Sequence, residues 1–124
     1  MFLKIKMNKE EKIEVNIKPM TVNKAWQGRR FKTPEYNGYT SHILWALKKH
    51  KFRFKGEIEV EYRFYLKHYK TTDVGNLEKP LSDIIVKSGI IEDDRFIKKI
   101  TLEKFKGSDY IEIIIKQIEN EKEA

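Results

Sequence analysis

The sequence predicts a single α/β (α+β) domain, a mixed β-sheet with two main helices. Three observations predict it. Glu57 to Lys67 alternates strictly: Ile58, Val60, Tyr62, Phe64 and Leu66 on one face, charged residues and Tyr65 on the other. Tyr36, Tyr39, Ile43, Ala46 and Leu47 recur at spacings of three and four, the stripe of an amphipathic helix. Leu77 to Ser88 carries a second such stripe, and two further strand-like runs follow it. A chain of 124 residues fits one domain. Its boundaries are expected at 1–118, with a frayed polar tail at 119–124.

Phe2 to Met7 and Ile13 to Lys18 read as two strands of a hairpin, with Asn8-Lys-Glu-Glu as the turn and Pro19 as the stop. Met20 to Pro34 reads as a loop punctuated by Asn23, Gly28 and Pro34. Pro34 and Glu35 then open the first helix, since proline and an acidic residue both suit a first turn. It runs to about His50, and Trp45 lies off its stripe, free to face a second element or a partner subunit. Lys51 to Gly56 is a basic loop. The Glu57–Lys67 strand is expected at the centre of the sheet, under the first helix. In the second helix Asn76 is the predicted N-cap, Pro80 sits harmlessly in the first turn, and Gly89 closes it. Phe96 to Lys106 and Tyr110 to Ile118 are the last strands, joined by Gly107-Ser-Asp as a predicted hairpin turn.

There is no cysteine, which excludes disulfides and thiolate zinc sites. No apolar run approaches the roughly 20 residues that span a bilayer, and the N-terminus reads as neither signal nor transit peptide. The expected location is the cytoplasm. The net charge is +7, and Lys24 to Lys55 alone holds nine basic residues against one acidic. A concentrated positive block points to a polyanion, and nucleic acid is the commonest. Lys24, Arg29, Arg30 and Lys32 are the candidate phosphate contacts. Trp26 and Phe31, interleaved with them, either stack on bases or pin the loop to the core.

Against that background stands an acidic stretch. Asp73, Asp83, Asp93 and Asp94 fall within 22 residues, with Lys79 among them. Gathered carboxylates repel and raise each other's pKa unless a cation lies between them. Hard oxygen donors suit Mg²⁺ or Mn²⁺. Such an ion activates water and neutralises charge in phosphodiester hydrolysis, and a lysine stabilises the developing negative charge. Each aspartate also has a plain reading as a cap, a turn or a solvated helix residue. His42, His50 and His68 lack metal-ligand spacing and read as structural.

Asp73-Val-Gly-Asn-Leu-Glu-Lys79, then Asp83, then Gly89-Ile-Ile-Glu-Asp93-Asp94 resembles the RusA-type Holliday junction resolvases. That family typically carries Asp-x-Asp-Asn-x-x-Lys, a later Asp on the following helix, and Asp-Asp after a short loop. Pro19-Met-Thr-Val-Asn23-Lys24 and the Arg-rich loop after it are similar too, so the likeness spans about residues 13 to 118. The resemblance implies a small α/β homodimer that resolves four-way DNA junctions by paired symmetric nicks with Mg²⁺ or Mn²⁺. By position it implies Asp73 and Asp94 as metal ligands, Asp93 as a ligand or its neighbour, and Asp83 as a supporting carboxylate. Lys79 would be the catalytic lysine, with Asp73 and Asp94, and Asn76 would orient the site. One position departs: Gly75 stands where the family usually has its second Asp. Asp83 or Glu92 compensates, or metal binds more weakly, or activity is lost. Two alternatives therefore stay open, a non-catalytic binder of branched DNA and a general structure-selective nuclease.

Overall fold

The computed structural model describes residues 9–27, 31–50 and 53–118. Four strands form the main sheet: β1 (Glu10–Val15), β4 (Ile58–Leu66), β5 (Ile97–Lys106) and β6 (Tyr110–Gln117), in the order β1-β6-β4-β5. Two long helices, α2 (Pro34–Lys48) and α3 (Glu78–Ser88), supply the second layer. Between β1 and α2 lie the short helix α1 (Val22–Ala25) and a two-stranded ladder of β2 (Trp26–Gln27) with β3 (Phe31–Lys32). Among the described residues no helix is long and apolar enough to cross a membrane.

The period-2 pattern of β4 is realised in full. Ile58, Val60, Tyr62, Phe64 and Leu66 are all buried, and the strand is interior to the sheet. Ile111, Ile113 and Ile115 of β6 and Ile13 and Val15 of β1 extend that face. Onto it α2 lays Tyr36, Tyr39, Ile43 and Leu47, and α3 lays Leu81, Ile84 and Ile85. Burying a Leu, Ile or Phe side chain contributes roughly 1.5–3 kcal/mol, so this one interface dominates the folding drive. Two hydrogen bonds fix the layers laterally. Tyr36 Oη donates to Pro80 O (3.1 Å), and the Tyr62 and Ser82 hydroxyls hydrogen-bond to each other (2.8 Å).

Several expectations are corrected. The first described strand is Glu10–Val15 rather than 13–18. Glu10 and Glu11, read as turn, are drawn into an antiparallel ladder because β6 offers them Lys116 and Ile115 as partners. The proposed Phe2–Met7 strand and the 119–124 tail lie outside the described residues. The 20–34 loop contains α1 and the β2–β3 ladder, and Thr33 caps α2 by accepting from Tyr36 N (3.1 Å). Phe54, in the basic loop, is 1% exposed.

The Gly107-Ser-Asp turn is not a hairpin. β5 runs parallel to β4, β6 runs antiparallel to it, and β4 lies between them. The turn carries the chain over the end of β4, where Gly107 N donates to Leu66 O (3.1 Å) and Asp109 Oδ1 accepts from Lys67 N (3.1 Å). A parallel pair needs a long crossover, and 67–96, with α3, is that crossover. Its consequence is local: both ends of the crossover carry the acidic residues.

Candidate active site

Leaving β4, the chain turns at 67–72. Lys104 of β5 straps this turn down: its Nζ donates to Tyr69 O (2.6 Å) and Thr72 O (2.8 Å) and lies 4.5 Å over the Tyr69 ring. Asp73 follows at once. Its backbone is extended, and its Oδ1 accepts from Gly75 N (3.0 Å), capping a 3-10 turn over Val74–Leu77. This corrects the N-cap expectation. Asn76 lies inside the 3-10 turn, its N–H bonded to Asp73 O (3.0 Å), and α3 starts at Glu78 behind Leu77, which makes no side-chain cap bond. An aspartate at the turn's head satisfies the first orphan donor, so Asn76 is not needed for it. Gly75 does not use the left-handed region open to glycine. A Cβ there would lie 3.4 Å from Asp73 Oδ1.

One helical turn on, Lys79 Nζ and Asp83 Oδ1 form an i,i+4 ion pair at 2.9 Å. Asp83, mainly through this hydrogen bond and then through its charge, raises the lysine above its ordinary range; Asp94 and Glu78 add to the shift. Lys79 is therefore a fixed cation at neutral pH. Gly89 ends α3 in the left-handed conformation (φ 83°), as a C′ glycine does. Ile90 and Ile91 then drop into the core and return the chain to the helix.

Asp93 and Asp94 follow. The two neighbouring carboxyl groups act on each other: Asp94 lowers Asp93, with help from the N–H and charge of Arg95, and Asp93 raises Asp94. Asp93 also caps the 3-10 turn Asp94–Phe96 by accepting from Arg95 N. Asp94 is pulled back down by Lys79 and pushed up by Asp83, so these three charges belong to one cluster. Asp93 has a cation of its own, Arg95 Nη1 at 3.8 Å from its Oδ2, and Asp94 is the carboxyl group that holds its proton longer.

Lys79, Asp83 and Asp94 are thus in electrostatic contact, and Asp93 joins them through Asp94. Asp73 sits one turn upstream with its carboxylate folded onto its own loop. Among the described residues no three His, Cys, Asp or Glu side chains stand close enough to cage a metal ion. The donor chemistry still suits a hard divalent cation: Asp93 and Asp94 are adjacent carboxylates, and Asp83 is a third whose charge reaches Asp94. Glu92, the other candidate for compensation, accepts from Gly56 N (2.8 Å) and is directed to that loop.

Of the basic candidates, Arg29 and Arg30 lie outside the described residues, as do the side chains of Trp26 and Phe31. Lys32 Nζ stands 4.9 Å over the Tyr36 ring, and Tyr36 itself feels the charges of Asp83 and Lys79, so Lys32 flanks the cluster. Lys24 is exposed and, with Thr72, lines a hollow of about 510 Å³ beside the Asp73 loop.

Sequence reasoning missed the support beneath the site. Glu78 Oε2 accepts from Ser82 Oγ (2.5 Å), and that hydroxyl meets the fully buried Tyr62 (2.8 Å). The available signal was a serine on an otherwise apolar helix face, four residues after a glutamate. Lys104 gave less warning, since it reads as one more lysine on an edge strand.

A crossover junction endodeoxyribonuclease RusA from Aquifex aeolicus (strain VF5) is 28% identical over 123 residues, covering 89% of this chain and 95% of the relative. The family model described as endodeoxyribonuclease RusA matches residues 13–116, a span that runs from β1 to β6 and takes in every aspartate of the cluster. The chain belongs to the RusA endodeoxyribonuclease family.

Proposed function

We propose that this protein is a metal-dependent endodeoxyribonuclease that resolves four-way DNA junctions. One observation carries the reading: Lys79 pairs with Asp83 and acts on Asp94, with Asp93 beside Asp94, inside a chain of this family. Asp93 and Asp94 would hold Mg²⁺ or Mn²⁺, with Asp83 and Asp73 as supporting ligands and Asn76 orienting the site. When bound, such an ion neutralises charge on the scissile phosphate and favours ionisation of water.

The chain's own residues do the rest. Lys79, kept protonated, offers a cation to the oxygen on which negative charge builds as the P–O bond breaks. Its pairing with Asp83 holds the ammonium in place before substrate arrives, so little reorganisation is needed. Lys24, Arg29, Arg30 and Lys32 supply phosphate contacts that orient the strand without reading its sequence. Paired symmetric nicks need two such sites facing one junction, hence a homodimer. Trp45, 65% exposed on α2, is the proposed subunit contact.

Incubation with a synthetic four-way junction and Mg²⁺ or Mn²⁺ is expected to give paired nicks, with linear duplex and flap cut far more slowly. Equal cutting of all three substrates would make the protein a general nuclease. The second reading, a non-catalytic junction binder, draws on Gly75. Gly75→Asp is sterically admissible beside Asp73. Under the first reading the wild type cleaves and the variant alters the metal dependence. Binding without cleavage by the wild type, with cleavage gained by the variant, supports the second.

A further inference from the structure

At the far end of α3 from the acidic cluster lies a concavity of about 570 Å³. Leu44, Leu47 and Ile90 form its apolar floor, and Lys48, His50, Arg53 and Lys87 surround it. No acidic residue is among the described residues that line it. We propose that this concavity is a second DNA-backbone site, which grips an arm of the substrate away from the cutting centre.

The cations come from three separate segments, so no single sequence run produces the patch. Lys48 and Lys87 stand in the last turns of α2 and α3, where a cation answers the helix dipole. That accounts for two of the three cations; Arg53, from the segment that follows α2, is the third. Arg53 is moreover held in place. Its neighbour Phe54 is buried, Phe54 N donates to Ile90 O (2.8 Å), and Lys9 Nζ donates to Arg53 O (2.5 Å). Its Nε would lie 4.0 Å from a Cβ on Gly89, so it packs over the glycine that closes α3.

The shape suits a nucleic acid backbone. Rim cations meet phosphate oxygens, and an apolar floor accepts the sugar. From Lys79 to Lys87 is eight residues of helix, about 12 Å along the axis at 1.5 Å per residue. Phosphates on one strand recur every ~3.4 Å, so a strand lying along α3 reaches this site three or four nucleotides from the cluster. DNA is favoured over RNA because the same helix carries at its other end the acidic cluster of an endodeoxyribonuclease family. The inference rests on the nuclease reading.

The test is junction binding by the full chain in EDTA, followed by fluorescence anisotropy of a labelled four-way junction from 50 to 200 mM NaCl. Lys48→Gln/Lys87→Gln is expected to weaken binding about tenfold and to reduce the slope of log K against log salt by up to about 2, near 0.9 per lost contact. Lys116→Gln, on the opposite face of the sheet, removes one charge and is expected to leave the slope unchanged. Superimposable thermal melts establish that the variants fold, and Arg53→Gln tests the site from a third segment. Wild-type slope and affinity in the double variant and in Arg53→Gln overturn the proposal, as does an equal fall with Lys116→Gln. So does a loss confined to duplex RNA. A wild type that binds no junction sinks the nuclease reading as well, whereas tight wild-type binding with unaffected variants sinks only this site.

Discussion

Lys79 separates stability from function at a single side chain. Its ion pair with Asp83 is exposed on the lysine side (61%), and i,i+4 pairs of this kind contribute only about 0.3–0.5 kcal/mol. Lys79→Met is therefore expected to leave urea denaturation nearly unchanged. The same substitution removes the cation that pairs with Asp83 and acts on Asp94, so single-turnover junction cleavage should fall on the order of a hundredfold or more. A large loss of stability with cleavage intact would make the pair a structural strut. At this scale the sequence was readable where neighbours in the chain are neighbours in space. Asp93 and Asp94 are adjacent, and Lys79 and Asp83 are one helical turn apart. Asp73 was not readable in this way, because where a loop carboxylate points is decided by the nearest unsatisfied N–H, here that of Gly75.

At the scale of elements, α3 is fixed by what lies beneath it. The buried chain Tyr62–Ser82–Glu78 joins the central strand to the first turn of the helix that carries Lys79 and Asp83. Ser82→Ala would leave the Tyr62 hydroxyl, which is fully buried, without its partner, and this is expected to cost about 1–3 kcal/mol. Tyr62→Phe in the same chain removes the orphan, so the double variant should be less destabilised than the sum of the two singles. Denaturant titration of the four proteins checks this, and strict additivity would show that the two hydroxyls do not interact. The helices themselves were legible because each signal is local: Pro34 at a first turn, Gly89 at an end, apolar residues every three or four positions. The cap of α3 was misread because Asp73 opens a 3-10 turn that takes Asn76 into its interior, and α3 then follows Leu77 without a side-chain cap.

For the whole molecule, the sheet's composition was legible and its order was not. Period-2 patterns in Glu57–Lys67 and Tyr110–Ile118 fix which faces are buried, yet they are silent on which strand lies beside which. Gly107-Ser-Asp would serve a hairpin equally well. The observed crossing over β4 is decided by the parallel pairing of β4 with β5, a long-range contact. That topology stacks Tyr65 on Phe105 (ring centroids 5.0 Å apart) and sets Tyr110 edge-on to Tyr65 (5.7 Å) on the sheet face away from the helices. Burial, then the hydrogen bond and charge of Glu14, push the Tyr110 phenol up to about 12. Tyr39 and Tyr62, enclosed in the core, are raised further by burial. In the unfolded chain a tyrosine ionises near its ordinary value of about 10. Below that pH both states keep the proton and stability is undiminished. Between about 10 and 12 the unfolded chain releases protons that the folded chain retains, so stability falls as pH rises. Phenolate absorbance is therefore expected to lag behind that of free tyrosine and to climb together with the loss of far-UV circular dichroism. Complete ionisation by pH 11 with the fold intact would mean that Tyr39, Tyr62 and Tyr110 are open to water rather than packed.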